Sequence, residues 1–271
     1  MLSRRTFLLG CVGAAAAASP AAYYSAVYEP ADLEVVRRTI TIRDLPARLD
    51  GMKLVQVSDL HLTKAGRLHT RMVEQVQALK PDVIFVTGDL VDTTSAVADV
   101  HDLLGYLEAP GGIWAVPGNW DHTAEAIDDL KNALSSAKVN FLINQSQQLE
   151  AGFWIVGVDD PASGHDRLDE AVADVPAGVR RLLLAHSPDI VPNLAGQTFD
   201  LILSGHTHGG QIDLPFLNGA WLKDGPSNRY IQGLYQIQGS PLYVNRGIGM
   251  TTLPVRIHCR PEITHFTLHG A

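Results

Sequence analysis

Residues 53–61 read Lys-Leu-Val-Gln-Val-Ser-Asp-Leu-His, and residues 82–89 read Asp-Val-Ile-Phe-Val-Thr-Gly-Asp. Each is a short β-branched run that ends abruptly in polar residues and gives way to a helical pattern. The same grammar recurs at Ile113–Val116, Arg181–Ala185 and Leu201–Ser204. Apolar runs bounded by turn signals and alternating with helices predict an α/β sheet. Between Arg67 and Lys80 the positions Leu68, Met72, Val73, Val76 and Leu79 fall on one stripe, so a helix is predicted there and Pro81 stops it. A second helix is predicted over Ala124–Ala137, with Asp121 or Thr123 capping its start. Upstream, Val35–Ile42 alternates loosely and predicts a half-buried strand. Beyond Gly209, short segments at Tyr235–Gln238, Leu242–Val244 and Ile263–Leu268 predict antiparallel strands and a second sheet.

The composition fits an ordinary globular chain: 271 residues, 46% hydrophobic and 18% charged, which excludes low-complexity disorder. The formal charge of −8 becomes −10 once residues 1–22, with Arg4, Arg5 and no acid, are set aside. Such a chain has no long-range field for nucleic acid, so an anionic ligand must be attracted locally. Of the two cysteines, Cys11 lies in the N-terminal stretch and Cys259 is then alone, which excludes a disulfide framework.

The residues that follow each strand carry the chemistry. They are Ser58-Asp59-Leu60-His61, Thr87-Gly88-Asp89, Pro117-Gly118-Asn119, Ala185-His186 and Ser204-Gly205-His206-Thr207-His208. Asp-x-His or Gly-Asp alone is ordinary turn chemistry. Five such turns in succession are not, because the C-terminal strand ends of an α/β sheet gather on one edge. They bring two Asp, one Asn and four His together, too many ligands for one small ion.

This set resembles the metallophosphoesterases, also called calcineurin-like phosphoesterases, whose pattern is Asp-x-His, Gly-Asp, Gly-Asn-His-Asp/Glu, His and Gly-His-x-His. The resemblance runs from about Lys53 to the C-terminus. It is nearest to a bacterial branch with a twin-arginine leader, matched here by Gly205–Gln211, Tyr243–Gly247 and Arg260–Ile263. The resemblance implies a four-layer α-β-β-α sandwich of two mixed sheets, with the metals at the C-terminal strand ends. It implies that Asp59, His61 and His208 hold one divalent ion, that Asn119, His186 and His206 hold a second, and that Asp89 bridges them. It also implies hydrolysis of a phosphoester or pyrophosphate. Relatives in the branch are associated with UDP-2,3-diacylglucosamine, so a small, lipid-linked or nucleotide phosphate is the expected substrate, and no nucleic acid is expected as partner.

Two divalent ions with Asp59 and Asp89 leave a net charge of about +2, which lets an acidic protein bind a phosphate without a basic patch. Mixed imidazole and carboxylate ligation suits Mn, Fe or Zn. Asp92, three residues beyond the bridging Asp, is a candidate for orienting a ligand histidine. The chain departs from the pattern at Gly118-Asn119-Trp120-Asp121-His122, where tryptophan replaces the family histidine beside the leaving group. Asn119 and His122 are therefore the catalytic candidates, with His122 as a substitute acid. Trp120 is either an apolar wall of the site or core packing. Arg246 and Asn245 are candidates for reaching substrate, although a glycine-bounded turn after a strand explains Asn245 and Gly247 as well. His69, His101, His165, His258, His265 and His269 have no readable partner spacing.

Residues 3–9 read Ser-Arg-Arg-Thr-Phe-Leu-Leu ahead of a small apolar run, with Ala-x-Ala choices at Ala16–Ala18. This resembles a twin-arginine export signal. Residues 1–28 are accordingly assigned as that signal or as an uncleaved N-terminal anchor, and residues 29–271 as one domain. The expected protein is a monomer, exported to the periplasm or anchored to the inner membrane. The competing reading is a catalytically weak metal-binding module of the same fold.

Overall fold

A computed structural model of the chain describes residues 20–150, 152–213 and 226–271. The twin-arginine motif, Cys11 and the Ala16–Ala18 cleavage choices lie outside those residues. A short α1 (Pro20–Tyr23) and further helical turns to Ala31 lead into β1 (Glu34–Ile42) and β2 (Lys53–Val57). Then come α2 (Arg67–Ala78), β3 (Val83–Thr87), α3 (Val97–Gly105), β4 (Ile113–Val116), α4 (Asn119–Thr123) and α5 (Ile127–Ser136). The chain continues through β5 (Val139–Phe141), β6 (Gln145–Glu150), β7 (Phe153–Gly157), α6 (Leu168–Val172), β8 (Arg180–Leu184) and β9 (Leu201–Ser204). It ends with β10 (Gly233–Ile237), β11 (Ser240–Val244) and β12 (Glu262–Gly270).

Two mixed six-stranded sheets result, ordered β1-β12-β2-β3-β4-β5 and β10-β11-β9-β8-β7-β6. In the first, β2, β3, β4 and β5 run parallel, β12 is antiparallel to β2, and β1 is parallel to β12. In the second, β7, β8, β9 and β11 run parallel between the antiparallel edges β6 and β10. The sheets face each other across a core that includes Leu54, Phe85, Phe153, Leu182, Leu203 and Phe266. On the outer face of the first sheet, Val55, Val57, Ile84 and Val86 pack with Met72, Val76, Leu104 and Leu130 of the helices. On the outer face of the second, Val156, Leu183 and Ile202 pack with Leu168 and Ala171 of α6 and with Ile190 and Leu194. Strand residues alternate between these cores, which is why the central strands read as continuous apolar runs. The four-layer α-β-β-α sandwich is as expected.

Three expectations need correction. The stretch Ala124–Ala137 is not one helix: α4 starts at Asn119, and Glu125 at φ 55° breaks it from α5. The tail strands do not all belong to the second sheet, since β12 inserts between β1 and β2 of the first and is parallel to β1. Segments β5, β6 and β7 were not foreseen as strands at all.

The tail motifs interlock the two sheets. Glu262 of β12 accepts from Tyr243 Oη of β11 at 2.5 Å, from Thr264 Oγ1 at 2.6 Å and from Arg246 Nε at 2.5 Å, while Arg246 also reaches Glu34 Oε2 of β1 at 2.7 Å. Asn245 donates to Thr264 Oγ1 at 2.8 Å and accepts from Gly247 N–H at 2.7 Å. Both residues act within the fold, which corrects the reading of Arg246 and Asn245 as substrate contacts. Removing one partner of a buried charged pair leaves the other desolvated. Glu262→Ala is therefore expected to lower unfolding free energy by about 3 kcal/mol in urea, against a change below about 0.5 kcal/mol for the exposed Tyr106→Ala.

Candidate metal centre

The five chemistry-bearing turns meet at one edge because β2, β3 and β4 of the first sheet and β8 and β9 of the second end there together. The loops after β2 and β3 continue the parallel ladder past the strands, with Asp59 N–H donating to Gly88 O, His61 N–H to Asp89 O and Leu62 N–H to Leu90 O, each at 3.0 Å. The loops of the two sheets are joined by Asp59, whose carboxylate oxygens accept from His206 N–H at 3.0 and 3.1 Å. Asp59, His61, Asp89, His206 and His208 all have φ between 48° and 69°. A non-glycine residue in that left-handed region costs about 1 kcal/mol or more, and such strain gathers where side chains must converge.

Besides a group formed by His122, Asp159 and His165, two adjoining groups of ligand atoms form: Asp59, His61 and His208, and beside them Asp89, His186 and His206. Asp89 lies between them, with Oδ2 3.5 Å from His61 Nε2 and 3.2 Å from His186 Nε2. Asn119 opens α4, and the next amide, Trp120 N–H, donates to Asp89 Oδ1 at 2.8 Å. The Asn119 Oδ1 atom is buried without a hydrogen-bond partner. All seven residues named from sequence are thus gathered at one edge.

The donor set fits divalent cations. His61 Nδ1 is 2.7 Å from Asp92 Oδ1, and His186 Nδ1 is 2.8 Å from Thr87 O. Those partners take the Nδ1 protons and leave each Nε2 lone pair facing the centre. There the nitrogens face one another, His61 Nε2 3.0 Å from His208 Nε2 and His206 Nδ1 3.3 Å from His186 Nε2. Lone pairs so opposed call for a cation between them. Burial pushes the Asp59 carboxyl up, and Asp89 adds to this. At Asp89 burial acts the same way, but His186, His61 and His206 outweigh it and hold the carboxyl far below its usual range. At His186 burial opposes protonation, yet the carboxylates of Asp89 and Asp59 carry its pKa well up. His208 goes down, through burial and then the like charges of His61 and Arg256.

The backbone is cut to fit this cluster. A Cβ on Gly118 would collide with Asp89, and one on Gly205 with Ser58 and Asp59. Asp121 holds the α4 end in place, accepting from Gly118 N–H at 2.9 Å and from Leu90 and Val91 N–H at 2.9 and 3.0 Å. Burial, with Asp89 adding, pushes its pKa up to about 7. Trp120 stands edge-on to His61 at 5.7 Å, so it walls the site.

His122 does not join either group. Its Nε2 is 2.7 Å from Asp159 Oδ1 and its ring stacks on His165 at 4.1 Å. The Asp159 hydrogen bond raises its pKa against the opposing effect of burial, and the Asp160 carboxylate acts on His122, His186 and His206 alike. Sequence reading missed Asp159, Asp160 and His165. The signal was Asp159-Asp160 directly after the apolar run Phe153–Val158, the same strand-then-acid grammar as at Asp59. It also missed Arg256, fully buried, whose guanidinium donates to the carbonyls of Arg246, Gly247, Gly249 and Cys259 and so supports the loop under His208. Beside His206 and His208 a cavity of about 400 Å³ opens, walled by Ile212, Thr251, Thr252 and Leu253.

Comparison with known proteins agrees with this geometry. The calcineurin-like phosphoesterase superfamily domain matches residues 52–215. An uncharacterized metallophosphoesterase of Bacillus subtilis, YkuE, is 35% identical over 98% of both chains. The phosphodiesterase YaeI of Escherichia coli is 31% identical over 99% of this chain and 100% of its own. A transmembrane protein with a metallophosphoesterase domain from Danio rerio is 31% identical, and the match covers 92% of this chain and 60% of that one. A solved structure from Thermus thermophilus shares the fold at 12% identity and a TM-score of 0.51, covering 73% of this chain and 90% of its own.

Gly118→Ala forces Asp89 aside without removing a ligand. Its metal content by elemental analysis is expected to fall by at least one ion relative to wild type, with the circular dichroism spectrum unchanged; full metal content would contradict the cradle.

Proposed function

The chain belongs to the calcineurin-like phosphoesterase superfamily and is a metal-dependent phosphoric ester hydrolase, and on that premise we propose that it works with two divalent ions. One is held by Asp59, His61 and His208, the other by Asn119, His186 and His206, with Asp89 shared. The observation that carries this reading is Asp89 Oδ2, which lies within 3.5 Å of a histidine nitrogen from each group. Mn, Fe or Zn suits the mixed imidazole and carboxylate donors. Family membership favours turnover over the metal-binding module considered from sequence.

Bound ions supply the positive charge that holds a phosphoryl group and activates water. The chain's own residues do the rest. Asp92 and the Thr87 carbonyl fix the imidazole rings of His61 and His186. Trp120 keeps bulk water from the His61 side. As water bonds to phosphorus and releases a proton to solvent, the P–O bond to the leaving group breaks and the leaving oxygen takes a proton from His122, held by Asp159. Asp159, Asp160, Asp121 and His165 are the titratable groups around that imidazole.

The substrate is a small phosphoester or pyrophosphate, and the cavity beside His206 and His208 supports an amphiphilic one, with UDP-2,3-diacylglucosamine as the candidate. The N-terminal sequence supports export by the twin-arginine route, to the periplasm or to the outer face of the inner membrane. Among the described residues no helix is long and apolar enough to cross a membrane.

Asp89→Ala is expected to reduce kcat on an aryl phosphate and on the amphiphilic pyrophosphate by about 10³-fold or more, with folding retained; unchanged turnover would overturn the two-ion mechanism. His122→Ala is expected to cost about 10²-fold on alkyl esters and little on aryl esters, whose leaving groups need no proton. Because Asp159 raises the His122 pKa, activity on alkyl esters holds while His122 is protonated and falls as pH rises through that raised value. Asp159→Asn should move that descending limb to lower pH, and an unmoved limb would remove His122 as the acid.

A further inference from the structure

We propose that the face built from residues 20–28 and 250–258 seats the enzyme on a lipid bilayer interface, so that the groove beside His206 and His208 opens toward the headgroups; the inference rests on the membrane-side reading above. Among the described residues, seven large hydrophobic side chains are exposed, and five of them, Tyr23, Tyr24, Val27, Tyr28 and Leu253, belong to these two segments. The segments are adjacent, since Arg256 N–H donates to Ser25 O at 2.9 Å and Cys259 N–H to Glu29 Oε1 at 2.6 Å.

Charge singles out this face from the rest of an acidic protein. Residues 20–28 read Pro-Ala-Ala-Tyr-Tyr-Ser-Ala-Val-Tyr and residues 250–258 read Met-Thr-Thr-Leu-Pro-Val-Arg-Ile-His. The one Lys, Arg, Asp or Glu in both is Arg256, which is fully buried and spent on backbone carbonyls. The chain as a whole carries a net charge of −8, so an uncharged face approaches anionic lipid with less repulsion than the molecule's average. Tyrosines combine an apolar ring with a hydroxyl that stays wet, the chemistry of the headgroup boundary. Tyr24 and Tyr28 stack at 5.2 Å, presenting a preformed pair of rings.

Two further observations favour lipid over a second copy of the chain. The sequence leading into the patch carries no Lys, Arg, Asp or Glu from Thr6 onward, so an uncharged stretch runs directly into it. The patch is also continuous with the reaction groove: Thr251, Thr252 and Leu253 wall that groove, and Gln211, two residues past Gly209, holds them by donating to Thr251 O and Leu253 O. A surface sitting on Leu253 thereby places the groove at the membrane.

The test uses the full chain in a Cys11→Ser background, with an environment-sensitive fluorophore on Leu253→Cys or, away from the patch, on Tyr106→Cys. Cys259 is fully buried and burial pushes its thiol pKa up, so it stays unlabelled. With phosphatidylethanolamine–phosphatidylglycerol vesicles, the label at 253 should shift to the blue and be quenched by a lipid-borne quencher, while the label at 106 should not. Tyr23→Ser/Tyr24→Ser/Tyr28→Ser should weaken vesicle binding by about tenfold or more and leave hydrolysis of a soluble aryl phosphate unchanged. Vesicle-bound chain without a shift at 253, equal shifts at both sites, or unaltered binding by the triple variant would overturn the proposal. So would a shift without vesicles that grows with protein concentration, which would mean that a second copy covers the patch. Loss of aryl phosphate turnover in the wild type would count against the hydrolase mechanism and leave the vesicle result standing.

Discussion

Two carboxylate oxygens of Asp59 accept the backbone amide of His206, and the active edge of the molecule depends on that contact. Asp59 ends a strand of one sheet and His206 follows a strand of the other. The contact requires Gly205 to lie against Ser58 and Asp59 with no side chain between them. It also turns His206 toward His186 and brings His208 to His61. Without it each sheet would carry half of a donor set, and neither half would have the ligands to hold a cation strongly.

Around this contact the chain concentrates groups that a folded protein ordinarily avoids. Two buried carboxylates stand close together, four imidazoles face inward, and five of these residues hold left-handed backbone. Each choice is unfavourable alone. They are tolerated because parallel backbone bonds extend past β2 and β3 into the loops, and because Asp121, Asp92 and Arg256 bind those loops from outside. Divalent ions would then offset the remaining electrostatic cost, turning a strained cluster into a preorganised one.

The α/β alternation and the gathering of ligands were legible because both are local signals summed along the chain, whereas the four layers followed from the family resemblance. A buried parallel strand is a continuous apolar run, and its end shows as an abrupt polar turn. Lys53–Val57, Ile113–Val116 and Leu201–Ser204 were read with the boundaries they have. Other features depend on partners far away in sequence. Polar Gln145–Glu150 is a strand only because it pairs with β7 at an edge, and β12 looks like any tail strand until its neighbours β1 and β2 are known. Arg246 illustrates the same limit at the level of one residue. The branch resemblance made Arg246 a candidate for reaching substrate, while the acids that claim it, Glu34 of β1 and Glu262 of β12, lie on other strands. His165 could not be paired with His122 by spacing, since their stacking joins α4 to the loop ahead of α6.

The position of β12 bears on when the molecule can assemble. It is the last of the described strands, yet it lies inside the first sheet, paired to β1 on one side and β2 on the other. During translation β1 and β2 leave the ribosome with a gap between them that no other described strand fills. Closing that gap means ordering a loop of more than two hundred residues, the kind of long-range pairing that slows folding. The loop after β2 carries Asp59 and His61, and it shares the edge that β12 completes. The donor set, complete by His208, therefore leaves the ribosome before the strand that closes its own sheet.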